Sequence, residues 1–210
     1  MKEKIYIIGY MIVVAAVFTT GVTFAKIATQ EQVRLNEKVR LQRVVLRVLG
    51  LYPSDELSAE ETRALFERRV TEKDVKGLTV YCGYADDEKK QLIGYVFPIG
   101  GMGLWSKIEG MLALDPDLNA IIGIDFTKQS ETPGLGGRIM EDWFKTQFVG
   151  KDVISKDKAG RYIQFVNADK PVGKREVHGI TGATMTTNGI QAFLNADIER
   201  IRTAMEKDAP

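Results

Sequence analysis

Between Lys4 and Lys26 the chain carries no charged side chain, and the stretch from Ile5 to Ala25 is apolar or small throughout. Wound as an α-helix at about 1.5 Å per residue, it spans roughly 31 Å, enough for the hydrocarbon core of a bilayer. It has no polar face, so it makes a poor surface helix for a soluble domain. Thr23-Phe24-Ala25 before Lys26 also offers small residues at signal-peptide cleavage spacing. The run is long for the apolar region of such a peptide, so a retained transmembrane anchor over 5–25 is the expectation. Lys2 and Lys4 precede it, while Lys26, Arg34, Lys38, Arg40, Arg43 and Arg47 come after it, diluted by Glu31 and Glu37. Charge counting therefore leaves the orientation open.

Beyond the anchor, the chain has the composition of one ordinary globular domain. The 210 residues include 29 Lys or Arg and 28 Asp or Glu, a net charge of +1. That balance argues against a nucleic-acid partner, which asks for a basic excess. A hydrophobic fraction of 44% with 27% charged residues excludes wholesale disorder. The single Cys permits no internal disulfide or Cys-rich zinc site, and the single His removes paired-His metal motifs. No resident metal is expected.

Apolar residues recur at three and four positions from Thr29 to Leu49 (Val33, Leu41, Val44, Val45, Val48, Leu49), predicting an amphipathic helix that Gly50 and Pro53 stop. Ser58 and Glu61 form a capping-box pair for a second helix over 59–69. These helices read as a stalk, either presented to a partner or packed on the domain. Strands are predicted over 78–84, 92–97, 108–114 and 120–126, with turns at Asp86-Asp87-Glu88 and Asp115-Pro116-Asp117; consecutive hairpins imply an antiparallel sheet. A helix over 138–148, a strand over 161–166 and a last helix over 188–205 complete an α+β chain.

Several motifs dissolve on inspection. Asp115, Asp117 and Asn119 mimic a calcium loop, but Ala120 stands at the turn glycine and Phe126 at the bidentate Glu. Gly101-Met102-Gly103 and Gly134-Leu135-Gly136 lack the third glycine of a dinucleotide fingerprint. His178 has no ligand partners and reads as structural; Cys82 reads as a small buried side chain. Two segments resist dismissal. Glu131-Thr132-Pro133-Gly134-Leu135-Gly136-Gly137 combines a rigid proline with glycines that admit positive φ or a close neighbour. Thr181-Gly182-Ala183-Thr184-Met185-Thr186-Thr187 gathers hydroxyls around small residues at a helix start, where free N–H groups suit a phosphate; a plain N-cap by Thr186 or Thr187 is the competing reading.

Thr181-Gly182-Ala183-Thr184 resembles the (Ser/Thr)-Gly-Ala-Thr flavinylation motif of FMN-binding domains. Glu131 to Gly136, ETPGLG, is similar to a second hallmark of one branch: the C subunit of the sodium-translocating NADH:quinone reductase and the G subunit of the Rnf complex. Gly101 to Asp115, GMGLWSKIEGMLALD, also resembles this branch, more the reductase subunit than the Rnf one. The resemblance implies a cytoplasmic N-terminus (1–4), the anchor (5–25), a helical stalk (26–70) and an FMN-binding domain (71–210) with a twisted, half-barrel-like antiparallel sheet packed by helices. FMN is then joined through its phosphate to Oγ of Thr184, installed from FAD by a separate flavin transferase with a divalent metal ion. Thr181, Gly182, Ala183, Thr186 and Thr187 surround the phosphate; Thr132, Pro133, Gly134, Leu135, Gly136, Leu104 and Trp105 line the isoalloxazine, Trp105 being either a stacking or a core residue. The domain faces the periplasm from the inner membrane and relays electrons between membrane subunits of an ion-translocating complex, coupled to Na⁺ or H⁺ export.

One position departs from the pattern. The family often has Asp three residues before the first Thr or Ser of the motif, and this chain has His178. Either the transferase tolerates the change or a neighbour such as Glu176 substitutes. The competing functions are a stand-alone membrane-anchored FMN-dependent reductase, for which only Glu131 and His178 offer acid–base groups, and a non-redox membrane tether.

Overall fold

The computed structural model describes residues 2–53 and 56–206. Met1, residues 54–55 of the expected stalk and residues 207–210 of the expected FMN-binding domain lie outside them. Contacts divide the chain into two compact units, 1–40 and 41–210. The first is most of helix α1 (Lys2–Val48), long and apolar enough in its N-terminal half to cross a membrane. Its large apolar side chains from Tyr6 to Phe24 lie exposed on all sides, a surface that lipid satisfies and water does not.

The second unit begins with the last turns of α1. Gly50, at φ +69°, ends the helix in a Schellman arrangement: Leu51 N–H reaches the Leu46 carbonyl at 2.9 Å and Gly50 N–H reaches Arg47 at 3.0 Å. Helix α2 (Ala59–Arg69) starts on the predicted capping box, with Glu61 N–H to Ser58 Oγ at 3.2 Å and Ser58 N–H to Glu61 Oε2 at 2.9 Å. It runs straight into β1 (Val70–Val75), which opens a five-stranded antiparallel meander with β2 (Leu78–Tyr84), β3 (Leu92–Met102), β4 (Lys107–Leu114) and β5 (Ile121–Lys128), in that order.

Both faces of this sheet are covered. Val44, Val45, Leu46 and Val48 of α1, with Leu49 just after it, pack with Tyr81, Val96, Met111 and Ala113 on one face. On the other, Val80, Phe97, Ile108, Leu112, Ile124 and Phe126 meet Phe144, Phe148, Ile163, Ile190, Leu194 and Ile198. Period-two alternation along the strands, interrupted by bulges at Gly83/Tyr84, Glu109/Gly110 and Ala113/Leu114, distributes the two sets. The α+β class and antiparallel sheet expected from the hairpins are present, and part of the expected stalk, from Leu41 to Tyr52 with Leu65 and Phe66 of α2, contributes apolar side chains that pack on the domain.

Five elements differ from expectation. Strand β1 escapes the sequence pattern because VTEKDV is an edge strand with charged outward positions; a two-residue Lys76-Gly77 turn, φ +55° and +80°, pairs it with β2. Strand β3 runs five residues past Phe97, through Pro98. Its pairing to β2 ends at Tyr81–Val96, so the proline forfeits no bond on that side. The helix expected over 138–148 is a 3₁₀ turn (Gly136–Met140) and a short α3 (Asp142–Thr146), separated by Glu141 at φ −73°, ψ 145°. Finally, β6 (Gln164–Val166) pairs in parallel with an unexpected β7 (Glu176–His178), and α4 (Thr184–Glu206) starts four residues early.

Candidate functional site

The Gly103-Leu104-Trp105-Ser106 stretch is the tight hairpin between β3 and β4, closed by Gly103 N–H to the Ser106 carbonyl at 2.9 Å. The Glu131–Gly137 loop comes after β5. The Thr181–Thr187 segment turns into α4. Three segments spread over 85 positions of sequence meet at one end of the domain, and the Glu131 carboxylate is where they meet. Its Oε1 accepts Trp105 N–H at 3.0 Å, and its Oε2 accepts the Thr186 hydroxyl at 2.6 Å. Glu131 is only 4% exposed. Burial alone pushes its carboxyl up, but the Thr186 hydroxyl and the backbone N–H groups of Trp105, Leu104 and Ser106 outweigh it and hold it below the ordinary value.

Glycines set how closely the loops approach. A Cβ on Gly136 would run into the Thr186 hydroxyl and the Glu131 side chain, so only glycine lets the loop lie on α4. Gly182, at φ +81°, turns the chain into the helix under Leu135. Thr187 N–H makes the first helical bond, to the Ala183 carbonyl at 3.0 Å, which places Ala183 at the cap and Thr184 in the first helical position. The threonine N-cap reading therefore does not describe this helix. The opening N–H groups of α4 have no partner within the helix.

The hydroxyls divide by direction. Thr181 and Thr184 are exposed; Thr186 and Thr187 are buried. Thr186 gives its proton to Glu131, and Thr187 Oγ1 accepts Ile180 N–H at 3.3 Å. The motif resemblance sets both around a phosphate: Thr186 is instead turned onto Glu131, whereas Thr187, although buried, lines the same cleft as Thr184.

Thr184 opens onto a cleft of about 450 Å³. One wall is Val166-Asn167-Ala168-Asp169 beyond β6, and the other is Gly179–Gly182 with Asn188. Phe165, also at the cleft, stacks on Phe144 with ring centroids 6.1 Å apart and 14° between planes. The neighbouring loops expose apolar side chains: Leu104, Trp105, Leu135 and Met185 stand out into solvent. Trp105 is 68% exposed, so it is not the core residue of the alternative reading, and its indole Nε1–H donates to Thr132 Oγ1 at 3.2 Å. Pro133 and Gly134 are exposed at the loop tip, with Gly134 at φ +75°. The donor set suits a flavin mononucleotide: free helix N–H groups and an exposed hydroxyl for a phosphate, exposed apolar side chains for a flat ring.

His178 and Cys82 take the structural places expected. Cys82 is buried in β2 with its thiol pushed up by burial. His178 ends β7, with its backbone N–H on Gln147 Oε1 at 2.8 Å. Among the described residues no group of His, Cys, Asp or Glu is arranged to hold a metal ion.

A model of the FMN-binding domain matches residues 103–199, the span from the hairpin loop through most of α4. Over a 229-residue alignment the chain is 30% identical to the C subunit of the Na⁺-translocating NADH-quinone reductase of Pseudomonas aeruginosa, covering 87% of this chain and 85% of that one. The chain belongs to this C-subunit family. The Vibrio anguillarum member is 36% identical over 139 residues, and this chain spans about half (51%) of its length. The crystal structure of the Parabacteroides distasonis C subunit superimposes with a TM-score of 0.65 at 25% identity, covering 80% of this chain and 92% of that one. That of Shewanella oneidensis NqrC, at 24% identity, shares the fold with a TM-score of 0.64. Family membership and the apolar half of α1 together make this a membrane-anchored, NqrC-type chain with an FMN-binding domain.

Proposed function

We propose that the chain carries FMN as a phosphoester on Thr184 Oγ and serves as the electron-transfer subunit of a membrane-bound, ion-translocating NADH–quinone reductase of the Na⁺-reductase type, its domain on the extracytoplasmic side and its partners the other membrane subunits. Bound FMN supplies reversible electron storage in one- or two-electron steps. The observation that carries the reading is the convergence on Glu131: it brings an exposed threonine hydroxyl, a helix N-terminus and two loops with exposed apolar side chains to one end of the fold.

The chain's own residues bind and orient. The first N–H groups of α4, at Thr184 and Met185, would hold the phosphate, with the positive end of the helix dipole behind them. Leu104, Trp105 and Leu135 offer the ring an apolar bed, and Thr132, which accepts from the Trp105 indole, keeps its own O–H to donate. Gly182 and Ala183 leave Thr184 reachable. A threonine hydroxyl is a weak nucleophile at neutral pH, so attachment is assigned to a flavin transferase with a divalent metal ion. The Oγ–P bond forms as the pyrophosphate of FAD breaks, AMP leaves, and the hydroxyl proton passes to the transferase.

The stand-alone reductase needs a free proton donor near the ring. Glu131 is held ionised among its hydrogen bonds, and the His178 imidazole is engaged with the Lys170 carbonyl. This favours the relay. The test is intact-mass spectrometry of chain produced beside a working transferase: an adduct of one FMN that survives denaturation and disappears in Thr184→Ala is the expected result, and an unmodified wild-type chain rejects the proposal.

A further inference from the structure

The cleft at Thr184 has one wall with little to hold it. Val166 is fixed by the β6–β7 ladder and by Gly179 N–H to its carbonyl at 2.9 Å, but the chain then leaves the sheet at Asn167 and turns back through Lys170, whose N–H reaches the Asn167 carbonyl at 3.1 Å. Asn167, Ala168 and Asp169 form the wall and are exposed. Among the described residues the only side-chain hydrogen bond to this turn comes from His178, with Nε2 2.8 Å from the Lys170 carbonyl oxygen. A carbonyl only accepts, so Nε2 carries the proton; the neutral Nε2–H tautomer and the imidazolium both serve, and the tie does not depend on titration.

His178 is itself clamped. Its N–H donates to Gln147 Oε1 at 2.8 Å, Gln147 Nε2 returns to its carbonyl at 3.4 Å, and it is paired with Val166 across the parallel strands. An imidazole carried on a clamped stretch of backbone thus reaches out from the sheet and ties a turn that no other side-chain hydrogen bond among the described residues holds.

We propose that His178 is a positioning residue for the acceptor cleft: by tying the Lys170 carbonyl it keeps the Asn167–Asp169 turn standing beside Thr184, so that the phosphate-bearing end of an incoming flavin nucleotide meets a preformed cleft. The proposal rests on the reading of Thr184 as the FMN acceptor. A preformed wall spares the bound complex the cost of ordering the turn, and that saving appears as a faster transfer.

The experiment uses the full chain without flavin. Amide hydrogen exchange is followed at 167–170 and in α4, and FMN incorporation from FAD by a working transferase is timed by intact mass, in wild type, His178→Ala and His178→Gln. In His178→Ala, exchange at 167–170 should rise and the incorporation rate should fall, each by about fivefold, the size of one lost hydrogen bond. Protection within α4 should stay unchanged, and the adduct should still reach one per chain. His178→Gln, whose amide N–H can donate to the same carbonyl, should recover both. A purely structural histidine would not be rescued in rate by an amide. Unchanged exchange at 167–170 in His178→Ala, or incorporation at the wild-type rate despite faster exchange, overturns the proposal. A wild-type chain that takes up no FMN overturns instead the reading of Thr184 on which it rests.

Discussion

Glu131 Oε2 accepts the Thr186 hydroxyl at 2.6 Å, joining the loop after β5 to the first turn of α4 across 55 positions of sequence. The same carboxylate takes Trp105 N–H at 3.0 Å, so one buried side chain holds three loops at the candidate site.

Glu131→Gln should therefore loosen all three. One amide oxygen cannot replace two carboxylate oxygens, and the amide N–H₂ faces donors, so a cost of about 1–3 kcal/mol in unfolding free energy is expected. Because the folded-state value of Glu131 is depressed, its contribution is present above the unfolded carboxylate range, about 4.3, and is lost as pH falls through the lower folded value. Urea melts at neutral and acid pH should show this acid loss in wild type and less of it in the variant.

Thr184→Ala separates chemistry from folding. The side chain is exposed in the first helical position and Ala is a good helix former, so stability should stay within about 0.5 kcal/mol. Denatured protein made beside the transferase should carry no flavin fluorescence. A large drop in Tm would show that the hydroxyl has a structural duty instead.

Asp125 sits at 3% exposure between Arg47 of α1 and Lys145 of α3, both at 3.3 Å, and accepts Phe126 N–H at 2.9 Å. Asp125→Ala leaves the largely covered Lys145 with only the exposed Asp142, at 3.0 Å. A loss of about 3 kcal/mol is expected in chemical denaturation, in the range for breaking a buried pair.

Asp197 behaves oppositely to Glu131. Burial pushes its carboxyl up, and the Gly100 N–H at 2.8 Å and Arg200 at 2.9 Å only partly offset this. A raised folded value favours the folded state at low pH, an advantage lost as pH rises through it. Asp197→Asn keeps an acceptor for Gly100 and removes the charge. It should raise Tm at pH 7 by about 2 °C, as roughly half a kcal/mol does in a domain of this size, with the gain vanishing below about pH 4.

Local chemistry wrote much of the fold legibly. The capping box at Ser58, the turn at Asp115 (whose Oδ1 takes Asn119 N–H at 2.6 Å) and the inward series Ile190, Leu194, Ile198 and Ile201 are where their patterns place them. Illegible were features decided at a distance. EVH becomes a strand only beside QFV, and VTEKDV only as the edge of a meander. Among the described residues no side chain caps the start of α4, whose first helical bond runs from Thr187 N–H to the Ala183 carbonyl, so the residue pattern starts the helix four residues late and does not foresee Thr186 turning onto Glu131. At the site, the three segments announce themselves by composition, but Glu131 as their common anchor does not, since its partners come from two other loops. Nothing in the order of residues around Lys170 signals the His178 contact either.

The parallel pairing of β6 with β7 carries a consequence for biogenesis. The cleft beside Thr184 needs Val166 and Glu176–His178 in register, and Gln147 clamped across them, before either wall exists. A peptide spanning Thr181–Thr187 alone would display the hydroxyl without its surroundings. Any maturation factor that reads those surroundings must wait for a finished domain, and an unfolded or truncated copy would offer it nothing to read.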